Sequence, residues 1–304
     1  MKATPHVHLL HNPKAGDQDH IKEELISRIE SQGFTCKYAS IKEKGWKRFK
    51  SGTALVVIAG GDGTIREVFK KLVNRRILDK PLVIALMPSG TANNFAKTLE
   101  IQPHLDEFER CIKTWKPKQI DIGLVNNLRN ARFFIEGLGC GIVPELIKKM
   151  RDIDLSAVHT AERELEMALK TLLEIVKTYP AKSAKVMVDG KRYDDEYLSV
   201  EVLNIRSIGP NLVLAPHADP TDGKFEVALL RPCDREAFLA YVGRLGQQKS
   251  NGHLPVPWQI VTATREIIID CDHRAMHVDD ELVTLKKRKR IEIAIRPGIL
   301  DILT

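Results

Sequence analysis

Three times in about its first hundred residues the chain runs an apolar stretch straight into a glycine-bearing loop and leaves that loop as a helix. The clearest instance is Val56-Val57-Ile58-Ala59-Gly60-Gly61-Asp62-Gly63-Thr64-Ile65-Arg66, after which Ile65, Val68, Phe69 and Leu72 fall at helical spacing. Upstream, Val7-His8-Leu9-Leu10 leads into Asn12-Pro13-Lys14-Ala15-Gly16 and then a pattern with Ile21, Leu25 and Ile29 on one face. Downstream, Leu82 to Leu86 leads into Met87-Pro88-Ser89-Gly90. Thr91 follows as the expected N-cap of a helix with Ala92, Phe95, Ala96 and Leu99 on one stripe. Strand, loop and helix repeated in this way predict a parallel sheet with helices outside it.

After about residue 120 the pattern changes. Strand-like segments follow one another at Ile120–Val125, Arg132–Leu138, Ala184–Val188, Tyr197–Ile205, Phe225–Leu230, Glu266–Asp270 and Ile291–Ile295. Helical patterns remain at about Ala161–Thr178 and Arg235–Leu245. The expectation is an α/β protein of two domains. Residues 1–122 are expected to form a parallel-sheet domain, completed by 297–304, and 123–296 a mainly antiparallel β domain. A length of 304 residues with 43% hydrophobic content suits two cores better than one. With no flexible linker between the halves, a ligand cleft between them is the natural expectation.

A glycine turn at a helix start presents backbone N–H groups to an anion with no side chain in the way, and phosphate is the usual guest. Gly60 to Arg66 fits neither GxxxxGK[ST] nor the dinucleotide fingerprint. Its distinguishing residue is Asp62, which would repel phosphate unless a cation lay between, so Asp62 predicts Mg²⁺ bound with a nucleotide.

The loops Asn12 to Gly16, Gly60 to Thr64 and Pro88-Ser89-Gly90-Thr91-Ala92-Asn93-Asn94-Phe95-Ala96 together resemble the diacylglycerol kinase catalytic domain of bacterial lipid kinases, which is related to sphingosine kinases. The resemblance continues through Ile120-Asp121-Ile122-Gly123, the segment Ala215 to Val227, and Val278-Asp279-Asp280-Glu281. It implies an ATP-dependent lipid kinase, with a nucleotide-binding domain like that of NAD kinases and phosphofructokinases and a β-rich lipid-substrate domain. Asn12, Pro13, Lys14, Ala15 and Gly16 would line the nucleotide phosphates with Gly60, Gly61, Asp62, Gly63, Thr64, Ile65 and Arg66, and Thr91 would add a hydroxyl. Asp219, Asp222 and the carbonyl of Lys224 would form a structural metal site, and Glu281 would be the base. The cofactors implied are ATP and Mg²⁺. The implied partner is a lipid, diacylglycerol or a relative, presented at a membrane surface to a cytoplasmic protein that touches the inner membrane face; a homodimer is compatible with this.

Read locally, Val278-Asp279-Asp280-Glu281-Leu282 is a tight hairpin turn. Alternation would put Asp279 and Glu281 on one face, where paired carboxylates raise one another's pKa and suit proton abstraction. Four places depart from the family pattern: Asn94 replaces an aspartate, Asp280 a glycine that would carry positive φ, Arg66 an asparagine, and Ile208-Gly209-Pro210-Asn211 a glycine-rich run. They keep open a noncatalytic nucleotide-dependent lipid-binding or regulatory protein beside the kinase, and an NAD or sphingoid-base kinase beside the lipid kinase.

The excess of 47 Lys and Arg over 40 Asp and Glu favours anionic partners, but no segment reads as a nucleic-acid module. Five scattered cysteines without CxxC indicate neither a disulfide framework nor a zinc knuckle, and the cytosol fits. No apolar run approaches the roughly 18 residues of a membrane span. In Lys42 to Lys50, Trp46 and Phe49 suit either a lipid-docking surface or, preferably, a buried helix stripe. Lys286 to Arg290 reads as a solvated turn. His273 and His277 have helical metal-ligand spacing in a strand context, which argues against a metal role.

Overall fold

The computed structural model describes residues 5–13, 15, 22–47, 49, 52–73, 82–128, 131–153, 160–245 and 256–304. The chain divides into two compact units: Met1–Ile120 together with Gly298–Thr304, and Asp121–Pro297.

Unit 1 is built on the strands β1 (His6–His11), β2 (Thr35–Ser40), β3 (Thr53–Gly60) and β4 (Val83–Pro88), with the helices α1 (Lys22–Ser31), α2 (Asp62–Val73), α3 (Asn94–Thr98) and α4 (Leu105–Thr114). The strands pair in parallel in the order β2-β1-β3-β4. Val7, Leu9, Leu55, Val57 and Ala85 share a buried cluster with Leu25 and Ile29 of α1 and Phe108 and Ile112 of α4. The alternate residues Leu10, Val56 and Ile58 are equally buried, so both faces are covered, as a parallel sheet requires. In α2, Phe69 meets Phe95 of α3 edge to face at 5.7 Å. The sheet is completed by the end of the chain, where Asp301 and Ile302 pair in parallel with Val83 and Ile84.

Unit 2 begins within β5 (Pro117–Asn126) and continues through β6 (Phe133–Phe134), β7 (Gly137–Gly141), α5 (Ile142–Asp152), α6 (Ala161–Thr178), β8 (Lys182–Val188), β9 (Lys191–Tyr197) and β10 (Ser199–Leu203). There follow β11 (Ser207–Ile208), β12 (Leu212–Val213), β13 (Phe225–Leu230), α7 (Arg235–Leu245), β14 (Gln259–Ala263), β15 (Glu266–Cys271), β16 (Ala275–Val278), β17 (Glu281–Thr284) and β18 (Lys289–Leu303). One antiparallel sheet has the order β14-β13-β10-β7-β16-β17, and β9, β8, β15 and β18 pair antiparallel in another. The inner residues of both, among them Leu138, Val200, Val202, Val227, Val186, Ile267, Ile269 and Ile293, form one buried cluster, the core of a sandwich. The other face of the six-stranded sheet is covered by α5, α6 and α7 through Leu172, Val176, Phe238 and Tyr241.

The fold is thus an α/β parallel-sheet unit followed by an antiparallel β unit. The expected helices at 161–178 and 235–245 are α6 and α7. Two expected strands are corrected. Arg132–Leu138 is broken into β6 and β7, because the N–H groups of Ile135, Glu136 and Gly137 all donate to the Asp279 carboxylate. Tyr197–Ile205 is not one strand either, since Tyr197 pairs with Lys182 whereas Ser199 pairs with Leu230, and the chain changes sheets at Leu198. Among the described residues no helix is long and apolar enough to cross a membrane.

Candidate functional site

In unit 1 the chain leaves β1 for β2 on one side of the sheet and returns to β3 on the other, so the loops after β1 and β3 part at their carboxyl ends. Such a switch point is where open α/β sheets bind ligands. Asn12, Pro13 and Ala15 follow β1 there; Lys14 and Gly16 lie outside the described residues. Asn12 donates its backbone N–H to Ala59 O at 2.9 Å and its side-chain Nδ2 to Thr64 Oγ1 at 3.1 Å, joining the first loop to the second.

Gly60 ends β3, Gly61 links it to the helix, and Asp62 begins α2, which puts Gly63, Thr64, Ile65 and Arg66 in its opening turns and its positive dipole end at the crevice. Ile65 is fully buried. Gly61 packs backbone to backbone on Gly90 of the loop after β4: a Cβ added to Gly61 would stand 2.7 Å from Gly90 Cα, and one added to Gly90 would stand 2.4 Å from Gly61 Cα. Ser89 N–H donates to Gly60 O at 3.2 Å. The loops after β3 and β4 are therefore packed backbone to backbone, and Asn12 after β1 is bonded to the end of β3 and to α2.

The helix start expected at Thr91 is corrected. Helix α3 begins at Asn94, its N-cap Asn93 is left-handed at φ 52°, and no side chain of the cap residue closes it. Asn93 instead folds its amide back on Gly90, accepting from Gly90 N–H at 2.8 Å and donating to Gly90 O at 2.7 Å. The cap comes from α2: the Asp62 carboxylate accepts Asn94 N–H at 2.9 Å and Phe95 N–H at 3.2 Å, one on each oxygen. Lys97 on α3 was missed by sequence reasoning. Desolvation lowers its pKa and the nearby Asp62 charge opposes that, so a cation and an anion accompany the loops.

In unit 2, Asp219, Asp222 and Lys224 share the loop before β13. The Asp219 carboxylate accepts from Thr221 N–H at 3.0 Å and Thr221 Oγ1 at 2.7 Å. Asp222 accepts Lys224 N–H at 2.9 Å, with Lys224 Nζ 3.5 Å from its other oxygen. Two carboxylates and a carbonyl suit a hard cation, but the Lys224 ammonium already neutralises one of them. The loop is tied down by Asp121, another residue of the quoted motifs: buried at the start of the unit, it accepts Gly223 N–H at 2.7 Å and donates its own N–H to Pro220 O at 2.8 Å. Among the described residues no group of three or more His, Cys, Asp or Glu side chains could hold a metal.

The hairpin at residue 278 is present, with Val278 paired to Glu281 across the turn. Its expected geometry is corrected in two respects. Asp279, not Asp280, has positive φ, at 53°. Asp279 also leaves the strand alternation: its carboxylate is buried and accepts N–H groups of Ile135 at 3.1 Å, Glu136 at 2.9 Å and Gly137 at 3.3 Å. Glu281, half-buried, opens β17.

The basic patches sort differently. Trp46 is buried, but in a run of turns and not a helix, while Phe49 meets the His8 ring at 5.3 Å. Lys286 to Arg288 is an exposed turn, with Arg288 paired to Asp270 and Asp272. His273 is buried and stacked on Tyr179, and burial lowers its pKa to about 4.

Comparison with known proteins places this geometry. The diacylglycerol kinase catalytic domain model matches residues 6–125, and the YegS C-terminal NAD kinase beta sandwich-like domain model matches residues 152–304. The chain is 27% identical to a diacylglycerol kinase of Bacillus subtilis over 262 residues, 81% of each chain. It is 26% identical to a Yersinia enterocolitica protein named probable lipid kinase YegS-like over 280 residues, 88% of this chain and 90% of that one. Among solved structures, a diacylglycerol kinase of Bacillus anthracis shares the fold, with a TM-score of 0.72 at 22% identity over 100% of this chain and 98% of that one.

Proposed function

Since the chain belongs to the lipid-kinase-like family that joins a diacylglycerol kinase catalytic domain to a YegS C-terminal domain, we propose that it transfers the γ-phosphoryl group of ATP to a lipid hydroxyl, diacylglycerol being the first acceptor to test. The observation that carries this reading is the backbone packing of the Gly61 and Gly90 loops, with Asn12 bonded to the start of α2 beside them, at the switch point of the parallel sheet.

In this reading Asn12, Pro13 and Ala15, the residues Gly60 to Thr64, Arg66 and Thr91 would line the triphosphate, while the buried Ile65 anchors the turn from behind. The Gly61–Gly90 contact fixes two loops against each other before any ligand arrives, which saves ordering entropy on binding. Mg²⁺ arriving with the nucleotide would supply charge neutralisation, Asp62 being the residue to hold it through water and Asp219, Asp222 and the Lys224 carbonyl a separate structural cation. Glu281 accepts the proton of the acceptor hydroxyl, and Asp279 serves by shaping the turn ahead of it. Phosphoryl transfer needs positioning and charge compensation more than covalent help, so a chain with few reactive side chains suffices.

A second reading is a nucleotide-dependent lipid-binding protein without turnover. It draws on Asp62, both of whose oxygens already serve the cap of α3, and on Asn94, whose amide is buried where the family has a carboxylate. Labelled ATP offered with a panel of lipids separates the two, and NAD as acceptor tests the related kinase. Turnover that depends on added lipid, and its loss in Asp62→Asn, support the kinase. ATP binding without turnover for any acceptor would leave the binder.

A further inference from the structure

The six-stranded sheet of unit 2 buries a carboxylate and an imidazole among its strands. Glu201 on β10 and His277 on β16 are each 1% exposed, and Glu201 Oε2 lies 2.6 Å from His277 Nε2. The residue between them on β7 is Gly139, in register with both. Its missing side chain makes the room, since a Cβ there would stand 1.8 Å from Glu201 Oε2. Ser199 Oγ donates to Glu201 Oε1 at 2.7 Å.

The other ring nitrogen, Nδ1, is 2.7 Å from the backbone carbonyl oxygen of Asp279. A carbonyl oxygen only accepts, so Nδ1 carries a hydrogen, and a second proton is shared between Nε2 and Glu201. Burial alone would strip charge from the imidazole, but the Glu201 charge and hydrogen bond, followed by the Asp279 carbonyl and carboxylate, raise its pKa instead. The same turn is gripped elsewhere: the Asp279 carboxylate takes the N–H groups of residues 135 to 137, and Arg151 donates to the Asp280 carbonyl at 3.0 Å. The backbone just ahead of Glu281 is thus fixed at three points, one of them an ionic pair inside the sheet.

We propose that the Glu201–His277 pair is a positioning device for the Glu281 carboxylate, pinning the Asp279 carbonyl so that the hairpin presents Glu281 in one place. The proposal rests on the reading of Glu281 as proton acceptor. Neither Glu201 nor His277 touches the reacting atoms in it; both act through the turn.

The test is lipid-dependent turnover of the full chain with diacylglycerol in mixed micelles. His277→Gln is expected to lower kcat at least tenfold with the KM for ATP within twofold. In a Glu281→Gln background, His277→Gln should change the residual turnover less than twofold, because an absent base cannot be misplaced. Equal losses in both backgrounds would overturn the proposal in favour of general damage. Should His277→Gln not fold, the isosteric Glu201→Gln carries the test: kcat should fall at least threefold at unchanged KM, and an unchanged kcat would overturn it. ¹⁵N signals of His277 give an independent check. The fraction of His277 rings carrying both protons should be lower in Glu201→Gln than in the wild type across the titration; an unchanged titration in that variant would overturn the pairing of Nε2 with Glu201. Absence of turnover in the wild type defeats the kinase reading, and full turnover in Glu281→Gln defeats the role of the base. In either case the positioning role goes with it, whereas the background-independent loss defeats that role alone.

Discussion

Between β3 and α2 the chain is shaped by what its residues lack, while between β16 and β17 it is shaped by charges buried beneath it. In the first region Gly61 and Gly90 let two backbones touch, and the Asp62 carboxylate serves by capping a neighbouring helix. In the second, Glu201, His277 and Asp279 hold a turn from inside the protein, with residues up to 144 positions apart in the chain. The contrast teaches that two loops can be locked together by backbone alone, whereas fixing a single hairpin turn takes a network of side chains.

The same substitution made in both regions should break them differently. Gly139→Ala has the largest expected effect: its Cβ displaces Glu201 and disrupts a buried ionic pair, at about 4 kcal/mol of stability in urea unfolding, with nucleotide binding kept in the molecules that remain folded. A stability equal to wild type would mean that Glu201 has another place to go.

Acid gives the next largest effect, in unit 1. His8 is buried, with no hydrogen-bond partner for either ring nitrogen among the described residues, and burial followed by the Lys37 charge lowers its pKa from 6.5 to about 4. The folded value lies below the unfolded one, so this stability is whole above pH 6.5, drains away as pH falls toward 4, and changes no further below that. At about 1.4 kcal/mol per pH unit the loss amounts to about 3 kcal/mol. His8→Leu should remove that part of the acid slope in calorimetry; an unaltered slope would assign it to other groups. His277, raised where His8 is lowered, works in the opposite sense, its contribution being lost as pH rises through its folded value.

Gly90→Ala has the smallest expected cost in stability, about 2 kcal/mol from forcing two loops apart, but it should weaken nucleotide binding at least tenfold in titration calorimetry. Wild-type affinity there would dissociate the glycine contact from the cradle.

The same contrast accounts for what the sequence made legible. The three loops could be read because glycine, aspartate and the following helix lie within a few residues of one another, and periodicity alone marked α6, α7 and β13 with their observed bounds. The cap of α3 could not be read, since Asp62 stands 32 positions before the N–H it accepts. Nor could the buried pair, whose partners are 76 positions apart. His277 was considered only at the spacing of a metal site, while the ladder that brings Glu201, Gly139 and His277 side by side is a property of strand order. Asp279 deceived for a related reason: alternation applies within strands, and its positive φ takes it out of one.

The pairing of Asp301 and Ile302 with β4 bears on how the protein is made. On the ribosome, residues up to Thr114 carry all the described helices of unit 1, but the outer edge of β4 still waits for a strand that is translated after almost all of unit 2. The amino-terminal unit therefore cannot finish first, although it comes first. A fragment ending at Ile120 should display that open edge and self-associate through it.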